Sequence, residues 1–414
     1  MNESAQNVAV IGGGAAGMCA ALELASAGKK VTLLEREPSL GGILHQCIHN
    51  GFGLSYFKEE LTGPEFAFRL EDKVKNHPGI ALRLSTTVVS IEGVEGGKKV
   101  TAYGKASGVI SLECGAVVLA MGSRERNRGN IPIPGTRPSG IYTAGSAQRM
   151  VNIEGIMPGK RAVIVGSGDI GLIMARRLTW SGIEVLGVVE IQPYPAGLTR
   201  NIVQCLNDFS IPLYLSHAVS RVYGRDRVTG VEVTSLDNHN DSFFLSSDTL
   251  LLSVGLIPEN ELSKNAGVGL DAVTRGAVVN AGFMTDTDGI FSCGNVLHIH
   301  DLVDYCAMEA EECARGVVRY LDGNVPVQSV KVFPGANVRY TVPQSLFSGE
   351  AATISLRSLV AGNGCTLSLM KNGEVLKKKK LAHVQPSEMI RLGLSAEETA
   401  GLTNGDRLEA VLSC

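Results

Sequence analysis

The chain carries little charge for its length and little that a nucleic acid or a membrane would recognise. Charged residues make up 19% of 414 positions, below the ~25% usual for soluble domains. The formal charge of -3 gives no electrostatic reason to expect DNA or RNA as a partner. No stretch reaches the ~18 uncharged apolar residues of a membrane span, so no direct membrane insertion is expected. The opening MNESAQN is polar, and the apolar segment behind it is broken by Gly12, Gly13, Gly14 and Gly17. No secretory signal is read there, and the chain is expected to be cytoplasmic. The nine cysteines are scattered without a C-x-x-C pair. That fits a reducing compartment better than a disulfide scaffold and removes the usual spacing for zinc or an iron–sulfur cluster. The one basic run, Lys377–Lys380, follows the hairpin signal Asn372-Gly373 and reads as a charged surface strand.

Glycine is abundant instead, 49 of 414 residues against a usual ~7%, and it clusters where phosphates are held. In VAVIGGGAAGMCAALELASAGKKVTLLERE, residues 8 to 37, a strand runs into Gly12-x-Gly14-x-x-Gly17. A helical pattern follows, and a second strand ends at Glu35, 18 positions beyond Gly17. Gly12 suits a tight turn, Gly14 a close approach of backbone to pyrophosphate, and Gly17 close helix–strand packing; Glu35 suits a ribose. The helix N-terminus offers its free N–H groups to the phosphates. The pattern recurs in residues 162 to 190 with Gly166, Gly168, Gly171 and Glu190. An acid there favours a free 2′-hydroxyl, hence NADH over NADPH.

The order of motifs resembles the two-dinucleotide flavoproteins of the pyridine nucleotide–disulfide oxidoreductase superfamily over roughly residues 7 to 322. It runs from the first unit through a β-meander to Ala120-Met121-Gly122, then through the second unit and a second meander to Gly255, and ends at Gly294-Asn295. The resemblance implies an α/β fold with two Rossmann-like domains in the manner of glutathione reductase. Residues 1–122 and 258–325 would bind FAD, and residues 123–257 would bind NAD(H). It places Gly12, Gly14, Ala16, Gly17, Glu35, Arg36, Gly42, Ile43, Val88, Ala120, Met121, Gly122, Gly294 and Asn295 on the FAD, and Gly166, Gly168, Asp169, Gly171, Glu190 and Gly255 on the nicotinamide dinucleotide. Asn295 stands where the family carries an acid on the ribityl chain; its amide still hydrogen-bonds but brings no charge. Residues 326–414 hold no nucleotide motif; their short alternating segments predict a small β-sandwich, assigned to subunit contact or to covering the flavin domain.

Phrases such as GGILHQCIHNGFG, TAGSAQRMVNIEG and CGNVLHIHDLVD are similar to a subgroup associated with anaerobic glycerol-3-phosphate dehydrogenases. That subgroup is similar in turn to the larger subunits of hydrogen cyanide synthase, opine oxidase and dye-linked proline dehydrogenase. The implied partners are a small electron-transfer protein and a second flavoprotein dehydrogenase subunit; a homo-oligomer is also compatible. A stand-alone NADH oxidase and a non-catalytic nucleotide-binding scaffold are the alternatives.

For the chemistry, DLVD (Asp301–Asp304) is expected to open the last helix, with the N–H groups of Leu302 and Val303 facing the flavin N1/O2 edge. His298, His300 and Asp301 precede it and would tune the ring or relay a proton. Cys306 and Cys313 share a helix face and read as core. Cys47 follows Gly41-Gly42, where the superfamily's disulfide reductases carry a C-x-x-x-x-C pair, yet the nearest cysteines in sequence are Cys19 and Cys114. Cys47 is therefore read as a flavin-packing or pocket-lining residue and a candidate catalytic contact, without a redox disulfide. A single thiol forming sulfenic acid and an H-x-C-x-H metal site of His45, Cys47 and His49 remain open; no metal is the expectation.

Overall fold

The computed structural model describes residues 6–238, 240–326 and 328–414; most of the polar opening segment, residues 1–5, lies outside the described residues. The chain forms two compact units. One runs to Ser123 and resumes from Pro258 to Cys414; the other is Arg124–Ile257.

The first unit is built on a parallel five-stranded sheet in the order Ile290–Ser292, Ala116–Leu119, Asn7–Ile11, Lys30–Leu34, Ile80–Arg83. Val8, Val10 and Leu119 are at most 1% exposed, as expected of central parallel strands covered on both faces. Helices Ala15–Ser26, Gly63–Asn76 and Val303–Leu321 supply much of the cover. A Thr62/Glu65 capping box fixes the start of the second of these. Between Ile80–Arg83 and Ala116–Leu119 lies an antiparallel meander, Thr86–Val94, Gly97–Gly104 and Gly108–Cys114.

The second unit repeats the plan. Its parallel sheet runs Ile141–Thr143, Thr249–Leu252, Arg161–Val165, Glu184–Val189, Leu213–Tyr214. Its meander is His217–Gly224, Val228–Ser235 and Ser242–Leu245.

The C-terminal part of the first unit is two sheets sharing one apolar core, among them Val332, Ile354, Leu356, Leu367, Leu392 and Leu412. Asn372 and Gly373 both take positive φ, 53° and 91°, at the hairpin between Gly362–Lys371 and Glu374–Val384. Lys378, Lys379 and Lys380 are exposed on the second of these strands, which ends its sheet; charge on an edge strand discourages further pairing.

The scattered cysteines fitted a reducing compartment better than a disulfide scaffold; one pair, Cys365 and Cys414, is bonded within the C-terminal part, with Cα atoms 4.1 Å apart. The cause is register: Thr366 lies opposite Ser413 in an antiparallel pair, which sets Cys365 against Cys414 across 49 residues of sequence. Sequence spacing carries no trace of that.

Candidate functional site

At the first glycine turn each glycine answers a different steric demand. Gly12 has φ of +104°, and a Cβ there would stand 2.4 Å from the Ala120 carbonyl oxygen. A Cβ on Gly17 would stand 1.7 Å from the Gly12 carbonyl oxygen, so helix and strand touch through bare backbone. Gly14 caps helix Ala15–Ser26 without a side-chain hydrogen bond, and nothing lies within 4 Å of its Cβ position. The result is an uncapped helix end facing open space, the form of an anion site. Glu35 is 6% exposed. Its Oε2 accepts from Gly13 N at 2.5 Å and its Oε1 from Glu37 N at 2.8 Å. Both oxygens are thereby aimed and keep lone pairs for hydroxyl donors.

Two further segments converge on this turn. Gly41 N donates to the Gly13 carbonyl at 2.9 Å, and the Cβ position of Gly42 is 3.5 Å from Gly14 Cα. The Cβ position of Gly294 is 2.8 Å from Ala16 Cβ. Ala16, Gly42, Ala120 and Gly294 thus surround one helix end, with Ile43 beside it and 61% exposed. Met121 and Gly122 continue from Ala120, Gly122 with φ of +72°. Val88 is half-buried in strand Thr86–Val94, and Arg36 is exposed just beyond Glu35.

Cys47 ends the short 3-10 turn Gly42–Gln46 and is 6% exposed. Its carbonyl accepts from Gly63 N at 2.9 Å, and burial pushes its thiol up to about 12, so it is a neutral thiol at neutral pH. His45 and His49 turn to different partners: the His45 ring reaches the Leu40 carbonyl at 2.5 Å, the His49 ring that of Asn50 at 3.0 Å.

The helix after Asn295 begins at Val303, with Leu302 as its N-cap, two residues later than the DLVD reading placed it. Asp301 lies before it and is held by the C-terminal domain: the Arg357 guanidinium pairs with its Oδ1, and Met389 N donates to its Oδ2 at 2.6 Å. Arg357 also donates to the Ile299 carbonyl at 3.0 Å. Asp304, in the first helical turn, accepts from Gly53 N at 3.0 Å, Ser55 N at 2.8 Å and Tyr56 N at 2.8 Å. It pins the glycine-rich 51–56 segment to the helix, a role the sequence reading missed. His300 N donates to Asn295 Oδ1 at 2.9 Å. The sequence reading also missed Glu309, whose Oε1 accepts from Gly294 N at 2.8 Å while its Oε2 faces His298 Nε2 at 2.6 Å and His300 Nε2 at 3.2 Å. Burial alone would raise this carboxyl, but the two imidazoles hold it well below the usual carboxylate range. Burial pushes the His298 imidazole down against the pull of Glu309. The available signal was a carboxylate on the buried face of Val303–Leu321, between Ala307 and Cys313.

The second glycine turn reproduces the first. Gly166 has φ of +95°, with its Cβ position 2.1 Å from the Ser253 carbonyl oxygen; that of Gly171 is 2.6 Å from the Gly166 carbonyl oxygen. Gly168 caps helix Asp169–Trp180 and faces open space. Glu190, 6% exposed, accepts from Ser167 N at 2.9 Å and Ser167 Oγ at 2.7 Å through Oε2, and from Gln192 N at 2.9 Å through Oε1. The Asp169 carboxylate is engaged by Leu198 N at 2.8 Å and Asn201 Nδ2 at 2.7 Å, so it anchors the 196–201 segment. Gly255 has φ of +94° with open space at its Cβ position.

Comparison with known proteins places this geometry. The family model "Pyridine nucleotide-disulphide oxidoreductase" matches residues 6–310. Hydrogen cyanide synthase subunit HcnB of Pseudomonas protegens is 28% identical, over 63% of this chain and 59% of that protein. An opine oxidase subunit of Agrobacterium tumefaciens is 28% identical, over 62% of this chain and 54% of its own length. The chain therefore spans under two thirds of these two curated relatives. Among solved structures, thioredoxin reductase of T. acidophilum superposes with a TM-score of 0.63 at 22% identity, covering 77% of this chain and all of that one. L-proline dehydrogenase of P. horikoshii gives 0.53 at 20% identity, over 76% of this chain and 55% of that one. The fold is the two-Rossmann architecture of thioredoxin reductase with a β-rich C-terminal addition, and the family's cofactors are FAD and a nicotinamide dinucleotide.

Proposed function

We propose that this chain, which belongs to the pyridine nucleotide-disulphide oxidoreductase family, exchanges electrons between NADH and FAD as the electron-transfer subunit of a larger dehydrogenase. The observation that carries the reading is the duplicated cradle: two uncapped helix ends facing open space, each with a buried carboxylate fixed by backbone N–H groups beside its glycine turn. Both cradles fit a dinucleotide, since a Cβ at Gly12 or Gly166 would strike backbone while Gly14 and Gly168 leave room for a pyrophosphate.

Bound in the first cradle, FAD supplies a ring that accepts hydride and releases electrons one or two at a time. The chain's own residues bind and orient. Gly14 and the N–H groups after it meet phosphate, and Glu35 meets the adenosine ribose. Asn295, with its Oδ1 taken by His300 N, keeps its amide hydrogens for a ribityl hydroxyl. The N–H groups of Leu302 and Val303, at the start of the last helix, would meet the pyrimidine edge of the flavin, where the helix dipole favours negative charge. His300 is positioned by Asn295 and Glu309 to hold a proton nearby; Asp301, clamped by Arg357 and Met389 N, fixes the loop that carries it. Ala16, Arg36, Gly42, Ile43, Val88, Ala120, Met121, Gly122 and Gly294 line the FAD side. Gly166, Gly168, Gly171, Glu190 and Gly255 hold NADH, with Asp169 bracing the turn. Cys47, buried and protonated, packs beside the cofactor and performs no thiol exchange.

The partner is assigned from relatives named as subunits, of hydrogen cyanide synthase and opine oxidase. A second flavoprotein would oxidise an organic substrate of the glycerol-3-phosphate or amino-acid type, and a small electron-transfer protein would complete the assembly in the cytoplasm. Affinity purification of the chain's complex from its native cell tests this. Recovery of a stoichiometric second flavoprotein is expected; a lone chain that consumes oxygen rapidly with NADH would replace the subunit reading with an oxidase.

A further inference from the structure

We propose that His298, His300 and Glu309 form a binding site for one divalent transition-metal ion, with Zn²⁺ the ion its donors suit. Their ligand atoms all lie within 4.8 Å of one another. Both Nε2 atoms point at the same Glu309 Oε2, at 2.6 and 3.2 Å. A tetrahedral ion ~2.1 Å from each donor needs donors about 3.4 Å apart, so the His300–Glu309 pair must open by about 0.2 Å and the His298–Glu309 pair by about 0.8 Å to admit it. All three side chains are at most 6% exposed.

The hydrogen-bond pattern around His300 has room for a cation between its ring and Glu309. Asn295 Oδ1 is fixed as an acceptor by His300 N at 2.9 Å, and the same oxygen lies 3.3 Å from His300 Nδ1. In the tautomer that donates Nδ1–H to this amide oxygen, Nε2 turns its lone pair towards Glu309 Oε2, the arrangement a metal ligand needs; the other tautomer donates Nε2–H to the carboxylate. An Nδ1–H donated to an amide oxygen is also the usual outer support of a metal-bound imidazole.

Charge matching points the same way. The C-terminal domain brings two guanidiniums over this region, but each meets its own carboxylate: Arg357 pairs with Asp301, and Arg391 lies 3.7 Å from Glu312. Among the described residues Glu309 pairs with neither guanidinium, and its Oε2 faces the two imidazoles. A void of about 10 Å³ whose lining includes His300, Glu309, Glu312, Ser355 and Arg391 adjoins the triad, room for one water. Two imidazoles and one carboxylate are the donors of zinc and non-haem iron(II) sites. His298 Nδ1 has no hydrogen-bond partner among the described residues, which makes His300 the better supported of the two nitrogen ligands. The alternative cation is a second proton on His300.

The test uses the full, untagged, FAD-loaded chain, stripped with a chelator and titrated with Co²⁺ and then Zn²⁺ without oxygen. The expected result is one Co²⁺ per chain, with tetrahedral ligand-field absorption beyond the flavin bands that Zn²⁺ abolishes by displacement. In His300→Ala and Glu309→Gln, with FAD content checked, affinity should fall at least 100-fold. X-ray absorption of the wild-type zinc form should show two imidazoles and oxygen ligands, a readout that needs no variant to fold. Failure of the wild-type chain to take up stoichiometric Co²⁺ or Zn²⁺ would overturn the proposal. Uptake that persists in folded His300→Ala, or a spectrum without two imidazoles, overturns it equally.

Discussion

Cys47 and Glu190 show how far single residues decide the chemistry. With its thiol pushed up to about 12, Cys47 exists as thiolate to about one part in ten thousand at pH 8, and the thiolate is the nucleophile. The folded chain should therefore leave Cys47 unmodified by iodoacetamide at that pH, as read by peptide mass spectrometry, with labelling appearing on unfolding. Cys47→Ser should retain FAD and be reduced by NADH within about twofold of the wild-type rate; loss of reduction with FAD retained would restore a thiol mechanism. At Glu190, both oxygens are aimed by Ser167 and Gln192, and on the proposed reading the carboxylate meets a ribose diol. Removing one charged hydrogen bond costs about 1.5–3 kcal/mol, and Glu190→Ala should raise the KM for NADH about 10- to 100-fold while improving NADPH relative to NADH. An unchanged NADH/NADPH ratio would show that Glu190 does not read the ribose. Glu190 was legible in sequence from its distance to the glycines. Glu309 was not, because its partners His298 and His300 reach it only through the turn between Gly294 and Val303.

At the scale of elements, the glycine turns and the C-terminal clamp carry separable predictions. Gly17→Ala places a methyl 1.7 Å from the Gly12 carbonyl oxygen, which forces helix Ala15–Ser26 off strand Asn7–Ile11. Overpacking of this kind costs about 1–3 kcal/mol or more, so thermal stability should drop and FAD should be lost on gel filtration; retained FAD with unchanged melting would contradict the cradle geometry. The clamp is tested by Arg357→Met. The pair it breaks is mostly buried, Arg357 12% and Asp301 19% exposed, so the loss is set at about 2 kcal/mol, below the ~3–5 of a fully buried pair. Urea unfolding reads this, and a double-mutant cycle with Asp301→Asn should recover most of it. The strand–turn–helix units were readable because each steric demand falls on a fixed glycine. The clamp was not, because Arg357 and Asp301 are 56 residues apart and meet only once the strand Ala352–Ser358 is laid near the helix start. The Cys365–Cys414 bond was hidden for the same reason, a register set by tertiary pairing.

Taken whole, the molecule is one plan used twice, a five-stranded parallel sheet with an antiparallel meander, followed by a β-rich domain that grips the loop carrying Asp301. The duplication was visible in sequence as two glycine fingerprints with similarly spaced acids. The C-terminal domain was visible as a β-sandwich pattern, but the contacts that Arg357 and Met389 make with Asp301 follow no motif. Among the described residues no helix is long and apolar enough to cross a membrane. The central claim is that two cradles on one chain serve one electron path, and anaerobic stopped-flow mixing of the FAD-loaded chain with NADH tests it most directly. The flavin absorbance is expected to bleach within the turnover time, with Glu190→Ala slowing the bleaching at subsaturating NADH. FAD that stays oxidised in the presence of excess NADH and NADPH would contradict it.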